Sequence, residues 1–204
     1  MNDLKIIYFK FFLIFYFIFK INKYIYNKKN KKKVGIISLD HSQNVGNNLL
    51  KYAIYIKLSN LGFDPYIVGK RFLSHNISFI EKNTKIILIK NNFSEIKRTD
   101  FDILIVNSDQ TWRKWDSNFY DIAFLKFAEN WNIPKFIYAT SLGVDKWQFS
   151  KKDEITANYL IKNFTGISVR EIGSINLIQN HLGIKPIFVL DPTLLIIQSI
   201  YFVI

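Results

Sequence analysis

Four short polar clusters in this sequence each follow an apolar run, and their side chains could bind an anion or orient a hydroxylated substrate. The first cluster is residues 40–47 (DHSQNVGN), and the second is residues 107–112 (NSDQTW). The third is residues 140–143 (TSLG), and the fourth is the pair Arg170 and Glu171. Carboxylates exchange protons, amides bind hydroxyls, and a guanidinium binds phosphate or carboxylate. Together the clusters predict a site for an anionic or sugar-like small molecule.

The first cluster lies where a helix is expected to begin. The amino end of that helix would present N–H groups and a positive dipole to an anion, near Asn44, Gly46 and Asn47. Gly46 would let a ligand approach the backbone closely, and His41 could move protons. A plain turn capped by Asn explains the same residues, and a lone loop histidine is more often a bystander than a catalyst.

The second cluster combines an acid, an amide and an indole at the end of an expected strand. Ser108, Asp109, Gln110 and Trp112 could bind a sugar or an enol by hydrogen bonding and stacking. The alternative is a turn formed by Ser108 and Asp109, with Trp112 packed in the core. Burial alone explains Trp112 but leaves Asp109 and Gln110 unexplained.

The third and fourth clusters complete the candidate site. Ser141 and Gly143 are small residues where a backbone could approach a ligand. Arg170 is a suitable anchor for a phosphate or carboxylate at the mouth of a parallel sheet. An Arg170–Glu171 pair that caps the next helix is an equally simple interpretation.

Apolar runs alternate with helical patterns from Val34 onward, and this order predicts the elements that carry the clusters. Strands are expected at residues 34–39, 65–68, 86–89, 103–106, 135–140, 166–169 and 187–190. Helices are expected at about 48–61, 124–130, 150–163 and 171–182, with Ser150 and Gly183 as caps. Non-alternating apolar strands between helices indicate a mostly parallel α/β sheet covered on both faces. Ligands bind such sheets at the carboxyl ends of the strands.

Composition excludes several classes of site and partner. The absence of cysteine excludes a disulfide scaffold, a thiolate zinc site and a cysteine nucleophile. The three histidines, at 41, 75 and 181, are too scattered for a metal cluster, so no metal and no cofactor are predicted. The formal net charge of +12 is concentrated in residues 1–33, which hold nine Lys and one Asp. The remaining 19 basic and 15 acidic residues do not indicate a nucleic-acid partner.

The leader, residues 1–33, predicts association with a membrane. Residues 6–19 are rich in Phe and Ile, but the longest unbroken apolar stretch, Phe11–Phe19, is nine residues, and a spanning helix needs about 20. The preferred interpretation is a helix within residues 5–33 that lies in the interface, with lysines facing anionic headgroups. A marginal span and an ordinary amphipathic helix packed on protein are the alternatives. Lysines that follow the apolar run place the body in the cytoplasm, peripheral to the inner face of the membrane.

Taken in order, the clusters make the chain similar to the polysaccharide pyruvyl transferase family. The matching stretches run from Val34 to Leu195 and include NVGNNLLKYAIYIKLSNLGF, DILIVNSDQTW, FIYATSLG, GISVREIGSINLIQNHLG and VLDPTLL. The resemblance implies a GT-B-like pair of Rossmann-like halves, of which residues 34–195 would be the N-terminal one. Residues 196–204 would then be a truncated apolar tail.

The resemblance also implies an activity and a set of site residues. Family members move pyruvate from phosphoenolpyruvate, the donor substrate, onto sugar hydroxyls of a surface polysaccharide or its lipid-linked precursor. The positions that match the family's pattern are Asn44, Gly46, Asp109, Gln110, Ser141, Gly143 and Arg170. Arg170 is then the candidate for binding the donor anion, and Asp109 is the candidate base or sugar anchor.

Two departures from the family pattern shape the expectation. Asn107 stands where many relatives have Gly, and no counterpart of the family's later Ser-Phe-His-Gly-like segment follows Asp191. We therefore expect this chain to be inactive alone. Two alternatives remain, a GT-B-like glycosyltransferase that uses a sugar nucleotide and a non-catalytic truncated fragment.

Overall fold

A seven-stranded sheet organises the computed structural model, which describes residues 31–38, 45–70, 82–107, 109–113 and 119–195. The strands are β1 (Lys33–Ile37), β2 (Asp64–Lys70), β3 (Ile86–Ile89), β4 (Ile103–Val106), β5 (Lys135–Thr140), β6 (Gly166–Val169) and β7 (Ile187–Phe188). Four helices lie wholly within these ranges: α1 (Val45–Asn60), α2 (Phe119–Ala123), α3 (Lys151–Ile161) and α4 (Ile172–Leu182). Short 3-10 turns occur at Phe93–Glu95, Lys126–Ala128 and Pro192–Leu195.

The strands pair in parallel in the order β3-β2-β1-β4-β5-β6-β7. The order reverses between β1 and β4, which makes their carboxyl ends the topological switch point of a Rossmann-like sheet. The predicted α/β class with a mostly parallel sheet is therefore confirmed.

Two apolar cores cover the two faces of the sheet. Alternate residues of β4 point to opposite faces, so Ile103 and Ile105 belong to one core and Leu104 and Val106 to the other. Helix α1 packs on the first face through Ile54 and Leu58. Helices α2, α3 and α4 pack on the second face, through buried residues that include Phe119, Ile122, Ala157, Leu160, Ile178 and Leu182.

Most predicted elements occur close to their expected positions, with one clear error. Ser150 caps α3 in a capping box with Asp153, and Gly183 ends α4 in the left-handed conformation, both as predicted. Helix α1 begins at Val45, three residues earlier than expected. The error concerns the short helical piece predicted at 124–130, which is present only as a 3-10 turn at Lys126–Ala128, whereas α2, which ends at Ala123, was not expected. Leu125, at φ 51°, separates the two and is incompatible with a continuous helix.

The predicted leader helix lies outside the described residues. Among the helices of residues 31–38, 45–70, 82–107, 109–113 and 119–195, none has the length and apolar character needed to cross a membrane.

One carboxylate fixes the chain after β5 to two helices. Glu154 of α3 accepts a hydrogen bond from Trp147 Nε1 at 2.7 Å, and the same oxygen lies 2.8 Å from His181 Nδ1 of α4. The rings of Trp147 and His181 stack with centroids 4.5 Å apart and an interplanar angle of 6°. Lys151 donates to the second oxygen of Glu154 at 3.1 Å. These contacts hold the segment between β5 and α3 in a single position.

We expect Glu154→Gln to lower thermal stability at pH 7 and to lose that deficit in acid. Hydrogen bonds from Lys151 and then His181 lower the pKa of Glu154 below its ordinary value of 4.5. Ionised Glu154 therefore stabilises the fold above that value, and the stabilisation is lost as pH falls through the lowered pKa. Thermal melts of both proteins at pH 7 and at about pH 3 measure the difference.

Asp145→Asn is the matched control for this prediction. Asp145 is exposed and makes no side-chain hydrogen bond within the described residues, so its loss should leave the melting temperature nearly unchanged at both pH values. A Glu154→Gln deficit of equal size at both pH values would contradict the assignment.

Candidate functional site

Backbone hydrogen bonds join the loops that follow β4, β5 and β6 into one continuous rim. Ser141 N–H donates to the carbonyl of Asp109 at 2.9 Å, and Trp112 N–H donates to the carbonyl of Ser141 at 3.3 Å. Arg170 N–H donates to the carbonyl of Thr140 at 3.3 Å. The second, third and fourth clusters of the sequence therefore lie together at the carboxyl edge of the sheet.

Gly143 and Gln110 meet at the centre of this rim. Gly143 has φ +66°, and its N–H donates to Ser141 Oγ at 2.9 Å. A Cβ built at Gly143 would lie 2.7 Å from Gln110 Cδ, so the Gln110 side chain occupies the space that the glycine leaves open. Arg113 Nη1 donates to Gln110 Oε1 at 3.3 Å and fixes the amide from its other side.

Trp112 belongs to the core rather than to an exposed platform. The residue is 1% exposed, and its Nε1 donates to the carbonyl of Ala123 at 3.3 Å. Its ring stacks on Phe124 with centroids 5.2 Å apart. The interpretation that Trp112 stacks on a sugar is therefore wrong, and the alternative, that Trp112 packs in the core, is confirmed. Its role is to anchor the loop that carries Asp109 and Gln110, which are both half-buried.

The first cluster is described only in part. Gly46 and Asn47 lie in the first turn of α1, whereas His41, Asn44 and Ser108 lie outside the described residues. The first turn of α1 contains no acidic residue, and the amino end of this 16-residue helix carries the positive end of its dipole. Helix α1 also packs against the turn Pro192–Leu195, which brings the DPT segment to the same face.

Arg170 ends β6 at the carboxyl edge, where it was predicted, but two carboxylates already hold it. Its Nη1 donates to Asp191 Oδ2 at 2.9 Å, and its Nε lies 3.5 Å from Glu171 Oε1. Asp191 also accepts hydrogen bonds from the N–H and Oγ1 of Thr193, at 3.0 and 2.7 Å. The guanidinium side chain is 18% exposed. An anionic ligand at Arg170 would have to compete with Asp191 and Glu171.

Asn107 is a candidate that the sequence analysis left without a role. It is 2% exposed, and its N–H donates to the carbonyl of Ile37, which places it at the switch point between β1 and β4. By strand alternation it points to the face covered by α1, like Ile103 and Ile105. Within the described structure its Oδ1 has no hydrogen-bond donor. The signal in the sequence was an amide placed directly after four buried apolar residues.

The residues that the structure describes do not form a metal site. Across the described ranges, no group of three or more His, Asp or Glu side chains could hold a metal ion.

We expect Gly143→Ala to destabilise the protein more than Gly183→Ala does. Both glycines have φ +66°, so alanine at either position costs about 1–2 kcal/mol of backbone strain. A Cβ at Gly183 meets nothing within 4 Å, whereas a Cβ at Gly143 meets the Gln110 side chain. The additional loss at Gly143 should be about 0.5–1.5 kcal/mol, the cost of forcing the half-buried Gln110 side chain aside, measured as the free energy of unfolding in denaturant.

The double variant Gly143→Ala/Gln110→Ala distinguishes backbone strain at residue 143 from crowding by the Gln110 side chain. Removing the Gln110 side chain should bring the loss at Gly143 back to that of Gly183→Ala. Equal losses in the two single variants would show that Gln110 does not pack on Gly143.

Comparison with known proteins identifies the family of the chain that carries this site. A sequence model described as polysaccharide pyruvyl transferase matches residues 44–203, which is most of the 204-residue chain. The match includes every rim cluster on the described strands β4, β5 and β6. No curated protein matches the sequence significantly. The chain belongs to the polysaccharide pyruvyl transferase family.

Proposed function

We propose that this protein, together with the second Rossmann-like half of a GT-B-like arrangement, transfers pyruvate from phosphoenolpyruvate to two hydroxyls of a sugar and forms a cyclic ketal. The acceptor would be a cell-surface polysaccharide or its lipid-linked precursor. The observation that carries the proposal is the family match over residues 44–203. The gathering of polar side chains at one sheet edge supports it, because ligands of parallel sheets bind at that edge.

The reaction defines what the protein must supply. A proton adds to the methylene carbon of phosphoenolpyruvate, and the resulting oxocarbenium-like carbon is attacked by one sugar hydroxyl. The C–O bond to phosphate then breaks, and the second hydroxyl attacks the same carbon. Two hydroxyl protons are released, of which one balances the proton taken by the methylene carbon and the other leaves with the phosphate. The site therefore needs an acid, a base and positive charge for the phosphate.

The rim residues have chemistry suited to these tasks. In this proposal Asp109 takes a hydroxyl proton or anchors the sugar, with Ser108, Gln110, Ser141 and Gly143 binding around it. His41 would shuttle protons between solvent and the donor.

The donor would bind between Arg170 and the amino end of α1. Phosphoenolpyruvate carries a phosphate and a carboxylate, so it needs two regions of positive potential. Arg170 would bind one anionic group in exchange for a carboxylate that now pairs with it. The first turn of α1, with Asn44, Gly46 and Asn47, would face the other.

Asn107 fits the acceptor better than the donor. At neutral pH phosphoenolpyruvate has only hydrogen-bond acceptors, and it cannot donate to the buried Oδ1 of Asn107. A sugar hydroxyl that enters between β1 and β4 would supply the missing donor. An acceptor sugar at the switch point would then lie beside Asp109 on the same loop.

We expect phosphoenolpyruvate to bind the full chain and UDP-glucose not to bind, as measured by isothermal titration calorimetry. Arg170→Ala should weaken phosphoenolpyruvate binding by about tenfold or more, because a charged hydrogen bond is lost. Arg170→Lys should weaken it less. Binding of UDP-glucose without phosphoenolpyruvate would favour a sugar-nucleotide glycosyltransferase and contradict the proposal.

Asp191→Asn is expected to change phosphoenolpyruvate affinity in the opposite direction to Arg170→Ala. Because Asp191 competes for the guanidinium, its neutralisation should strengthen phosphoenolpyruvate binding by several-fold if Arg170 holds the donor. A structural Arg170 would instead show lower stability in Asp191→Asn and no gain in affinity. Arg98→Ala is the control arginine, since Arg98 lies before β4 at the opposite edge and should leave binding unchanged.

The same proposal includes a second half of the enzyme and a location at the membrane. Residues 34–195 would form one of two Rossmann-like halves in a GT-B-like enzyme, with the acceptor between them. The protein would work at the cytoplasmic face of the membrane, held there by the leader helix. A lipid-linked acceptor would itself lie at a membrane surface, so this location would bring the enzyme and such an acceptor together.

We expect the leader to bind the chain to anionic liposomes in a salt-dependent manner. Changing Lys23, Lys28, Lys29 and Lys31 to Gln should reduce co-sedimentation, because each lysine near an anionic surface contributes about 1 kcal/mol. The control changes four exposed lysines of the body to Gln: Lys146, Lys152, Lys162 and Lys185. If both quadruple variants bind alike, charge in the leader does not direct the protein to membranes.

A further inference from the structure

A cavity of about 490 Å³ opens at the amino ends of β5 and β6, on the edge of the sheet opposite the rim. The loop that leads into β5 forms one wall, and Asn163 and Thr165, just before β6, form the other. Lys135 begins β5 and Thr140 ends it, so the cavity and the rim are separated by five residue steps, roughly 17 Å. The cavity is therefore a different place from the candidate active site.

Lys135 lies in the wall of this cavity and is the least expected side chain there. It is 2% exposed, and its Nζ donates to the carbonyls of Trp131 at 2.8 Å and Glu129 at 3.5 Å. Both acceptors are neutral, and no carboxylate of the described chain forms an ion pair with Lys135. Buried charges in proteins are ordinarily paired, so this ammonium lacks a negative partner.

The charge on Lys135 is costly where it lies. Burial and then the positive charge of Arg98 lower the pKa of Lys135. An anion bound in the cavity would offset both effects, because it would pair with the ammonium and reduce the local positive potential. Glu129, the one acid among the described residues of the cavity wall, contributes its carbonyl to Lys135 rather than its carboxylate.

The rest of the lining is suited to a sugar ring. Trp131 is half-buried and packs edge-on against Phe127, with centroids 5.5 Å apart. Amides from Asn130, Asn132 and Asn163 lie at the exposed mouth, together with the Thr165 hydroxyl. Amides and hydroxyls both donate and accept, which matches the hydroxyl groups of a sugar, and an indole offers an apolar surface to its C–H groups. The volume is within the range of small-molecule sites.

We propose that this cavity binds a carboxylated sugar residue, with the carboxylate on Lys135 and the ring against Trp131 and the asparagines. The site goes beyond the proposed function, since it holds none of the proposed reacting groups and lies at the other edge of the sheet. For a protein of a polysaccharide-modifying family, it would recognise an acidic residue of the saccharide away from the reacting sugar.

The test uses the full chain, with sodium glucuronate, glucose and acetate as probes, in titrations followed by calorimetry and by the indole NMR signals. We expect glucuronate to bind at least about tenfold more tightly than glucose or acetate, because only glucuronate offers both the ring and the carboxylate. The Trp131 indole should shift with glucuronate. Phosphoenolpyruvate binding should remain unchanged in the presence of saturating glucuronate, which distinguishes this site from the proposed donor site.

Lys135→Met removes the ammonium but keeps the length of an apolar side chain. Glucuronate affinity should then fall at least about tenfold to the level of glucose, while the melting temperature stays level or rises. Lys126→Met, an exposed lysine of the preceding 3-10 turn, is the matched control and should bind glucuronate as before. A lysine that only caps carbonyl groups would show a lower melting temperature and no change in glucuronate binding, which would overturn the proposal.

Two exposed variants keep the proposal testable should Lys135→Met fail to fold. Asn132→Ala and Asn163→Ala change only the mouth of the cavity, and each should weaken glucuronate several-fold without changing acetate binding. Equal affinity for glucose and glucuronate, or unchanged glucuronate binding in both asparagine variants, would also overturn the proposal.

Discussion

The parallel pairing of β1 with β4 determines where this protein can hold a ligand. Four register pairs, from Val34 with Ile103 to Ile37 with Val106, bring the carboxyl ends of two strands side by side. The chain after β1 enters α1 on one face, and the chain after β4 enters α2 on the other. Asn107 lies where these two strands end, and ligands of open parallel sheets bind at such a switch point. The pairing of β1 with β4 therefore brings Asn107 and the loop after β4 to the edge where a ligand is expected.

Much of the fold could be predicted from the sequence, because apolar runs and caps are local signals. The strand Gly166–Val169 and the caps Ser150 and Gly183 needed no knowledge of distant contacts. The position of α2 could not be predicted in this way. Leu125 is fully buried in the core with φ 51°, so its left-handed conformation depends on tertiary packing that no local pattern records.

The candidate site, too, could be predicted from the sequence only in part. The placement of Asp109, Ser141 and Arg170 on one edge followed from strand order alone, since parallel strands share a carboxyl edge. The pairing of Arg170 with Asp191 depends on β6 and β7 lying side by side, which brings together residues 21 positions apart. A lysine at the start of a strand is usually exposed, so the burial of Lys135 could not be predicted from the sequence. Lys135 is buried because the loop before β5 folds over it.

The cations at the two edges of the sheet have different partners, and this difference distinguishes the donor site proposed at one edge from the sugar site proposed at the other. At the carboxyl edge, Arg170 is held by Asp191 and Glu171, so a ligand anion there must displace a carboxylate and can do so reversibly. At the amino edge, Lys135 donates to two carbonyls, and no carboxylate of the described residues forms an ion pair with it. Exchange of partners suits a substrate that must enter and leave in every turnover. The carboxylated ligand proposed at Lys135 would displace no carboxylate of the described residues, and the fully buried strand β5 connects the two positions.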